Sequence, residues 1–184
     1  ETVEYHQLLD NLKSIVYSSL NKKIPITLIP QHLLPNGGLA IEVYTLDAKA
    51  EIKFEEKEGV CYGLTGNDNE SMLFIEGIPA SDFSDSVRLQ SEEVFDKLDS
   101  ILSAYGFEVD DIVRQWNYIG SIVAHREGKQ NYQEFNDART RYYARGRWSN
   151  GYPAATGIGA SGDCIIVGGI AFKKRNEKGI YPID

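Results

Sequence analysis

The sequence predicts an α+β fold, in which a mixed β-sheet carries two helices on one face and an N-terminal helix and hairpin extend it. Two long segments with helical periodicity, residues 84–105 and 130–144, alternate with short apolar segments typical of strands, and turn residues separate them. From residue 50 the order is β-β-α-β-α-β-β. Such alternation favours helices packed on one side of a sheet. We expect the N-terminal segment or a symmetric partner to cover the other side, because a bare apolar face promotes association.

The N-terminal part of the chain predicts a helix followed by a strand. Residues 4–20 repeat apolar side chains at helical spacing. One stripe consists of Leu8, Leu12, Ile15 and Ser19, and the row beside it of Leu9, Val16 and Leu20. Three prolines within residues 25–35 exclude a helix and a central strand there. Asn36-Gly37-Gly38 is a turn, after which residues 39–46 predict a strand.

Strands and then the clearest helix of the chain follow. Two short apolar segments predict strands, residues 50–54 and 72–78, and a third strand at residues 60–64 stays open as an alternative. The helix occupies residues 84–105, where Ser84 or Asp85 caps its start and Gly106 ends it. Its inward positions, at three- and four-residue steps, are Val87, Val94, Leu98, Ile101 and Tyr105.

The rest of the chain alternates strand, helix and two further strands. Residues 109–123 predict a strand, in which successive side chains point to opposite faces. One face would carry Ile112, Arg114, Trp116 and Tyr118, and the other would carry Val113, Gln115, Asn117 and Ile119. Residues 130–144 predict the second helix, with its inward positions at Tyr132, Phe135, Ala138 and Tyr142.

Near the end of the chain, Gly157, Gly159 and Gly162 have the G-x-G-x-x-G spacing of a dinucleotide-binding loop. That loop requires a helix after it, so that the helix N-terminus faces the pyrophosphate. Here the apolar, β-branched residues 164–167 follow, and they are typical of a buried strand. We therefore interpret the glycines as a link between two strands.

Length and residue types limit the class of protein. At 184 residues the chain is long enough for one buried domain, which we place at residues 49–184, with residues 1–48 as an N-terminal helix and strand extension. No apolar run approaches the ~20 residues that a membrane span needs. The three histidines and two cysteines lack metal-ligand spacing. We expect a cytoplasmic protein with no membrane contact, no metal and no cofactor.

The charge distribution bears on nucleic-acid binding. The formal net charge of −8 argues against it, because broad binding needs a positive face. The local exception is residues 139–148, where four arginines are interleaved with three aromatic side chains. Three interpretations stay open for this stretch: a solvated helix end, a site for a small anionic ligand, or an RNA contact.

Three ordered motifs stand out: Arg114-Gln115-Trp116-Asn117-Tyr118-Ile119, Phe135-Asn136-Asp137-Ala138-Arg139 and Pro153-Ala154-Ala155-Thr156-Gly157-Ile158-Gly159. Together they resemble the chorismatase family, whose members hydrolyse chorismate without a metal and belong to the YjgF-like superfamily of reactive-intermediate deaminases. The resemblance covers residues 50–172 and implies a YjgF or chorismate-mutase-like β-β-α-β-α-β fold. It also implies a homotrimer or a second YjgF-like domain as partner, with ligand clefts between the units.

The chain departs from the deaminases of that superfamily at two positions. Those enzymes carry an arginine two positions after the proline of the penultimate strand, where this chain has Ala155. They also carry a carboxylate in the last strand, where residues 166–169 read Ile-Val-Gly-Gly. The arginine would hold a substrate carboxylate and the acid would position a water. In chorismatases, moreover, the catalytic acid comes from a second, related half, so we assign no catalytic residue here and expect the chain alone to be inactive.

Six residues within the motifs are candidate ligand contacts: Arg114, Trp116, Tyr118, Asn136, Arg139 and Thr156. Arg114 shares its predicted strand face with Trp116 and Tyr118. An aromatic surface beside a guanidinium suits a small carboxylate with an unsaturated ring. Asn136 and Arg139 are three residues apart and so share one face of the second helix.

Alternatives stay open for these residues and for the function. Trp116 could fill the core under a helix, and Arg139 could pair with Asp137 or Glu134. For the function we expect a cleft for a small aromatic or enolic carboxylate that does not itself supply the catalytic acid. The rivals are a non-enzymatic trimeric ligand-binding or assembly module of the same superfamily, and an RNA-acting protein that uses residues 139–148.

Overall fold

The structure is a computed structural model that describes residues 2–31, 38–47, 50–126, 128–149 and 151–174. Within these residues the helices are α1 (Thr2–Leu20), α2 (Val87–Ala104) and α3 (Asn131–Tyr143). The strands are β1 (Ile52–Lys57), β2 (Val60–Gly66), β3 (Glu70–Pro79), β4 (Ile112–Gly120), β5 (His125–Arg126), β6 (Lys129–Gln130), β7 (Ala154–Ala160) and β8 (Ile165–Lys174).

Six of the strands form one mixed sheet in the order β1-β2-β3-β8-β4-β7. β4 and β7 are parallel, and the other neighbours in this sheet are antiparallel. A parallel pair needs a long crossover, and here α3 lies in the connection from β4 to β7. The predicted α+β fold is confirmed.

The two long helices of the main domain form one layer on the sheet. The ring of Phe95 in α2 stacks on that of Tyr142 in α3 at 4.8 Å, and α2 packs on β3 and β8. The predicted inward residues of α2 are buried apart from Tyr105, which is partly exposed. The helix cap is Ser86 rather than Ser84 or Asp85, because its hydroxyl accepts the Leu89 N–H at 3.3 Å. We call the sheet face opposite this layer the outer face.

The first helix is present as predicted, and the structure shows which of its apolar side chains are buried. Tyr5 and Leu9 are its buried residues, whereas Leu8 and Ile15 are 58% and 66% exposed. The reason is tertiary, because the Tyr5 ring packs against Phe83 and its hydroxyl donates to a loop carbonyl outside the helix. Helical spacing alone could not say which of two adjacent apolar rows would be buried.

Residues 23–31, here called the strap, cross one end of the outer face in an irregular conformation. The N–H of Ile26 donates to the buried carboxylate of Glu76 at 2.7 Å. The N–H of Gly77 donates to the Thr27 hydroxyl at 2.7 Å. The prolines therefore exclude regular structure here, as predicted, while polar contacts with the β3 bulge fix the strap.

Residues 38–47 have no regular secondary structure and pair with no strand among the described residues. The prediction of a strand at residues 39–46 is therefore wrong, because no ladder partner lies beside these residues within the described part of the chain. The preceding turn, which was predicted at Asn36-Gly37-Gly38, lies mostly outside the described residues.

The glycine motif has no helix after it. Gly157 and Gly159 lie inside β7, Gly162 forms the following turn with φ of 77°, and β8 comes next. A dinucleotide loop would place a helix N-terminus at this point. The prediction that a strand rather than a helix follows is right, but Gly157 and Gly159 lie within β7 and not in the link between the two strands.

Candidate functional site

The alternation of β4 decides which side chains can meet a ligand. Gln115, Asn117 and Ile119 are fully buried beneath the helix layer. Arg114, Trp116 and Tyr118 are half-buried on the outer face. Trp116 therefore does not lie in the core under a helix.

Ile112 departs from the predicted face. The pairing of β4 with β8 shifts register between Ile112 and Arg114, and Ile112 is buried in the core. A β-bulge adds a residue to one strand and so moves the side chains before it to the other face. The prediction that Ile112 shares a face with Arg114 is therefore wrong.

The guanidinium of Arg114 is held above an aromatic ring. Its carbon lies 5.0 Å from the centre of the Trp116 ring, within cation–π range. One guanidinium nitrogen donates to the Ala154 carbonyl at 3.2 Å, and the other lies 3.5 Å from the Thr156 hydroxyl. Arg114 forms no salt bridge with any described residue, so its charge is available to an anion.

Thr156 and Tyr118 complete this surface. Thr156 lies opposite Trp116 in the parallel register of β4 and β7. Burial raises the pKa of Tyr118, and the Glu42 carboxylate raises it further, so the phenol stays protonated. We call Arg114, Trp116, Tyr118 and Thr156 the outer-face site; an aromatic platform, one guanidinium and two hydroxyls lie together there.

Sequence reasoning missed two residues at this site. The ring of Tyr44 lies 6.0 Å from that of Trp116. A hydrogen bond to Glu42 raises the pKa of Tyr44, and the same carboxylate acts on Tyr118. Alternation along the predicted strand puts residues 42 and 44 on one side, but nothing in the sequence indicates that this side faces β4.

Asn136 and Arg139 belong to the helix layer, so the sheet separates them from the outer-face site. Tyr132 lies against Gly157, and the Tyr143 hydroxyl bonds to β4, so the α3 face that carries Asn136 and Arg139 is turned to the other side of β4 and β7. The structure therefore brings four of the six candidates together and leaves two apart.

Arg139 is not ion-paired with Asp137 or Glu134. Both of those carboxylates form salt bridges with Lys129 instead. The Arg139 guanidinium instead lies 5.8 Å from the centre of the Tyr143 ring. It is a cation over aromatic rings on the helix side of the sheet.

Beneath the outer-face site, a chain of buried hydrogen bonds joins α3, β4 and β7. The Tyr143 hydroxyl donates to Gln115 Oε1 at 2.9 Å, Gln115 Nε2 donates to Asn117 Oδ1 at 2.5 Å, and Asn117 Nδ2 donates to the Thr156 carbonyl at 2.9 Å. Burial raises the pKa of Tyr143 to about 12, which keeps the donor protonated. Satisfied buried networks of this kind fix the backbone positions of their members.

The structure shows the surroundings of Ala155 and Gly168, the two positions at which the sequence is expected to depart from the deaminases. Ala155 is exposed and carries a methyl group where an arginine would be needed. A Cβ built on Gly168 would lie 3.1 Å from the backbone nitrogen of Gly77 and 3.2 Å from the carbonyl oxygen of Glu76. The β3 bulge thus occupies the space that a carboxylate side chain at position 168 would cross.

Two of the four arginines of residues 139–148 form salt bridges with acidic neighbours on α2. Arg141 pairs with Glu92 at 2.9 Å, and Arg145 pairs with Asp96 at 3.0 Å. The loop that follows is fastened by Asp110, whose carboxylate accepts the N–H groups of Arg147 and Trp148. This geometry favours the interpretation of a helix end docked on α2 over that of an RNA contact.

Two other kinds of site are not found. The described residues contain no group of three or more histidine, cysteine or acidic side chains placed to hold a metal ion. No helix among them is long and apolar enough to cross a membrane. Cys61 and Cys164 are buried free thiols, and burial raises the pKa of Cys61 to about 11, which makes it a poor nucleophile.

The chain is similar to one protein family and to several solved structures. Residues 42–171 match the family described as chorismatase FkbO/Hyg5-like, N-terminal. Among solved structures, a chorismatase is 23% identical over 65% of this chain and 34% of that chain, with a TM-score of 0.43. A YjgF/YER057c/UK114 family member from Mycobacterium tuberculosis is 15% identical over 60% of this chain and 84% of that chain, with a TM-score of 0.45. No curated protein matches the sequence.

Proposed function

The chain belongs to the chorismatase FkbO/Hyg5-like N-terminal family, and from that premise we propose that it binds a small aromatic or enolic carboxylate of the chorismate type on the outer-face site. The observation that carries this proposal is the Arg114 guanidinium, which lies on Trp116 beside Thr156 and without a carboxylate partner among the described residues. A planar guanidinium forms two parallel hydrogen bonds with a carboxylate. The ligand ring would then lie along Trp116 and Tyr118.

Glu42 and the tyrosines would orient the hydroxyl groups of such a ligand. Tyr118 stays protonated and can donate a hydrogen bond to the ligand, because its pKa is raised, whereas the Tyr44 hydroxyl already donates to Glu42. The carboxylate of Glu42 can accept one from a ligand hydroxyl. Chemistry at the ring would need a general acid, and Gly168 and Ala155 supply none. We propose that a second, related domain or a neighbouring subunit supplies it, so that this chain binds without turnover.

A partner would also cover the outer face. Apolar side chains of several strands remain partly exposed on it, including Phe54, Phe74 and Ile170. An apolar face of this kind promotes association. We propose a homotrimer or a second YjgF-like domain as that partner, which also keeps open a non-enzymatic assembly role.

Calorimetric titration of the purified chain with chorismate tests the binding proposal. Arg114→Ala is expected to weaken binding ~10- to 100-fold, since a charge-assisted hydrogen bond is worth about 1.5–3 kcal/mol. Arg114→Lys keeps the charge without the planar fork and should fall between the wild type and Arg114→Ala. The matched control is Arg88→Ala on α2, whose side chain is 54% exposed and far from the site. Equal affinity of Arg114→Ala and wild type would reject the site.

Chromatography of the same mixtures tests the absence of turnover. General acid–base help typically contributes ~10²–10⁴ in rate, so a chain without the acid should convert chorismate no faster than buffer. Conversion by the wild type that disappears in Arg114→Ala would show that the chain carries a catalytic group of its own.

A further inference from the structure

Residues 38–46, here called the donor segment, have the sequence pattern of a strand but no partner strand among the described residues. Leu39, Ile41 and Val43 alternate along it and are 73%, 74% and 72% exposed. Alternating apolar and β-branched side chains are typical of a strand with one buried face. A row of exposed apolar side chains is also a common mark of an interaction surface.

The backbone of the donor segment is unpartnered as well. No hydrogen bond between described residues joins a backbone group of residues 38–46 to another backbone group. The segment contains no proline, and its one charged residue is Glu42. Its N–H and C=O groups are therefore open to pairing along a ladder.

The sheet has one edge that suits this segment. β7 ends the strand order, and its outer edge pairs with no described strand. The seven residues of β7 carry no charge, whereas β1 at the opposite edge carries Lys53, Glu55, Glu56 and Lys57. Charged side chains on an edge strand oppose pairing with another chain, and an uncharged edge permits it. The acceptor is therefore β7 rather than β1.

We propose that the donor segment of one copy adds as a strand to the free β7 edge of a second copy of this chain. Within one copy, the contact of Tyr44 with Trp116 on β4 holds the segment over the outer face instead of beside β7. Each copy has one donor and one acceptor, so a closed assembly of identical copies leaves neither unpaired. Main-chain hydrogen bonds supply the affinity in such strand addition, and alternate side chains set the register.

Mixed disulfide cross-linking of the full chain tests this pairing. Val43→Cys chains are mixed with size-tagged Ile158→Cys chains and oxidised. Neither variant has both new thiols, so a mixed disulfide forms only between copies. Ile41→Cys serves as a second donor position, to allow for a register shifted by one residue pair. The native thiols are buried, and chains without new cysteines measure their background. We expect mixed dimers at least tenfold above that background.

Charge variants provide a second readout. Ile41→Lys combined with Val43→Lys should weaken self-association at least tenfold by sedimentation, because a charged strand resists pairing. The matched control is Val3→Lys on α1, where the side chain is 77% exposed, and it should leave association unchanged. Absence of mixed dimers, or a disulfide formed only within one chain of a Val43→Cys/Ile158→Cys double variant, overturns the proposal. Glu42 and Tyr44 of the donor segment lie beside the outer-face site, so chorismate binding of the same variants is measured by calorimetry, which distinguishes loss of self-association from loss of ligand binding.

Discussion

The polar side chains on the two faces of β4 differ in whether they have hydrogen-bond or ion-pair partners within the protein. On the helix side, Gln115 and Asn117 are fully buried and bonded to each other, to Tyr143 and to β7. On the outer side, Arg114 has no carboxylate partner and the Tyr118 hydroxyl has no hydrogen bond among the described residues. Buried polar groups are almost always satisfied within the protein, and ligand sites are where a few converging polar groups are not. Neighbouring residues of one strand thus serve the fold on one face and are available for binding on the other.

We expect the largest effect from a substitution that removes the buried hydrogen bonds on the helix side of β4. Gln115→Ala leaves the Tyr143 hydroxyl without its acceptor and Asn117 Oδ1 without its donor, in a site that is fully buried. Each unsatisfied buried group costs about 1–3 kcal/mol, so the free energy of unfolding should fall by about 3 kcal/mol. Urea denaturation measures it. A loss below about 1 kcal/mol would show that the network is not a structural element.

We expect a smaller effect when one tyrosine hydroxyl is removed, and the same change can be made on each face of β4. Tyr143→Phe removes the inward hydroxyl and should cost about 1–2 kcal/mol, because Gln115 Oε1 loses a buried donor. Tyr118→Phe removes the outward hydroxyl and should cost less than about 0.5 kcal/mol. Urea denaturation of both variants gives the comparison directly, and equal costs would remove the distinction between the faces.

The pH dependence of the Tyr143→Phe difference has a defined sign. Burial raises the pKa of Tyr143 from 10.0 to about 12, so the folded state binds its proton more tightly than the unfolded state. This contribution to stability is complete below pH 10 and is lost as the pH rises towards 12. The gap in unfolding free energy between wild type and variant should therefore narrow over that range, as repeated urea titrations would show. A gap that widens would contradict the assigned cause.

The smallest effect concerns the outward face. Glu42→Gln removes a negative charge that raises the pKa of Tyr118, so that pKa should fall. Titration followed by NMR of labelled tyrosine rings measures it, with Glu92→Gln on α2 as the control. An unchanged Tyr118 would show that the donor segment does not lie beside the site in solution.

The sequence predicted which segments form helices and strands better than it predicted where their side chains lie in the fold. It predicted α2, α3 and the alternation of strands and helices from residue 50, because each of these elements has its own pattern of apolar spacing, although three strands rather than two precede α2 and the short β5 and β6 were not predicted. It failed where a choice depended on a distant neighbour. Ile112, which was predicted to share a face with Arg114, is in the core because of a bulge in the β4–β8 pairing, and helical spacing left open which apolar row of α1 would be buried.

The sequence by itself determined the α+β fold, the family resemblance and the shared face of Arg114, Trp116 and Tyr118, because alternation and helical period are local properties. Only the tertiary structure decided which face of β4 meets the helices, and hence that Asn136 and Arg139 lie across the sheet from Arg114. It alone placed Glu42 and Tyr44, which are about 70 residues away in sequence, beside the outer-face site. The physical reason is that hydrogen bonds and packing between distant segments set such neighbours, and no local pattern encodes them.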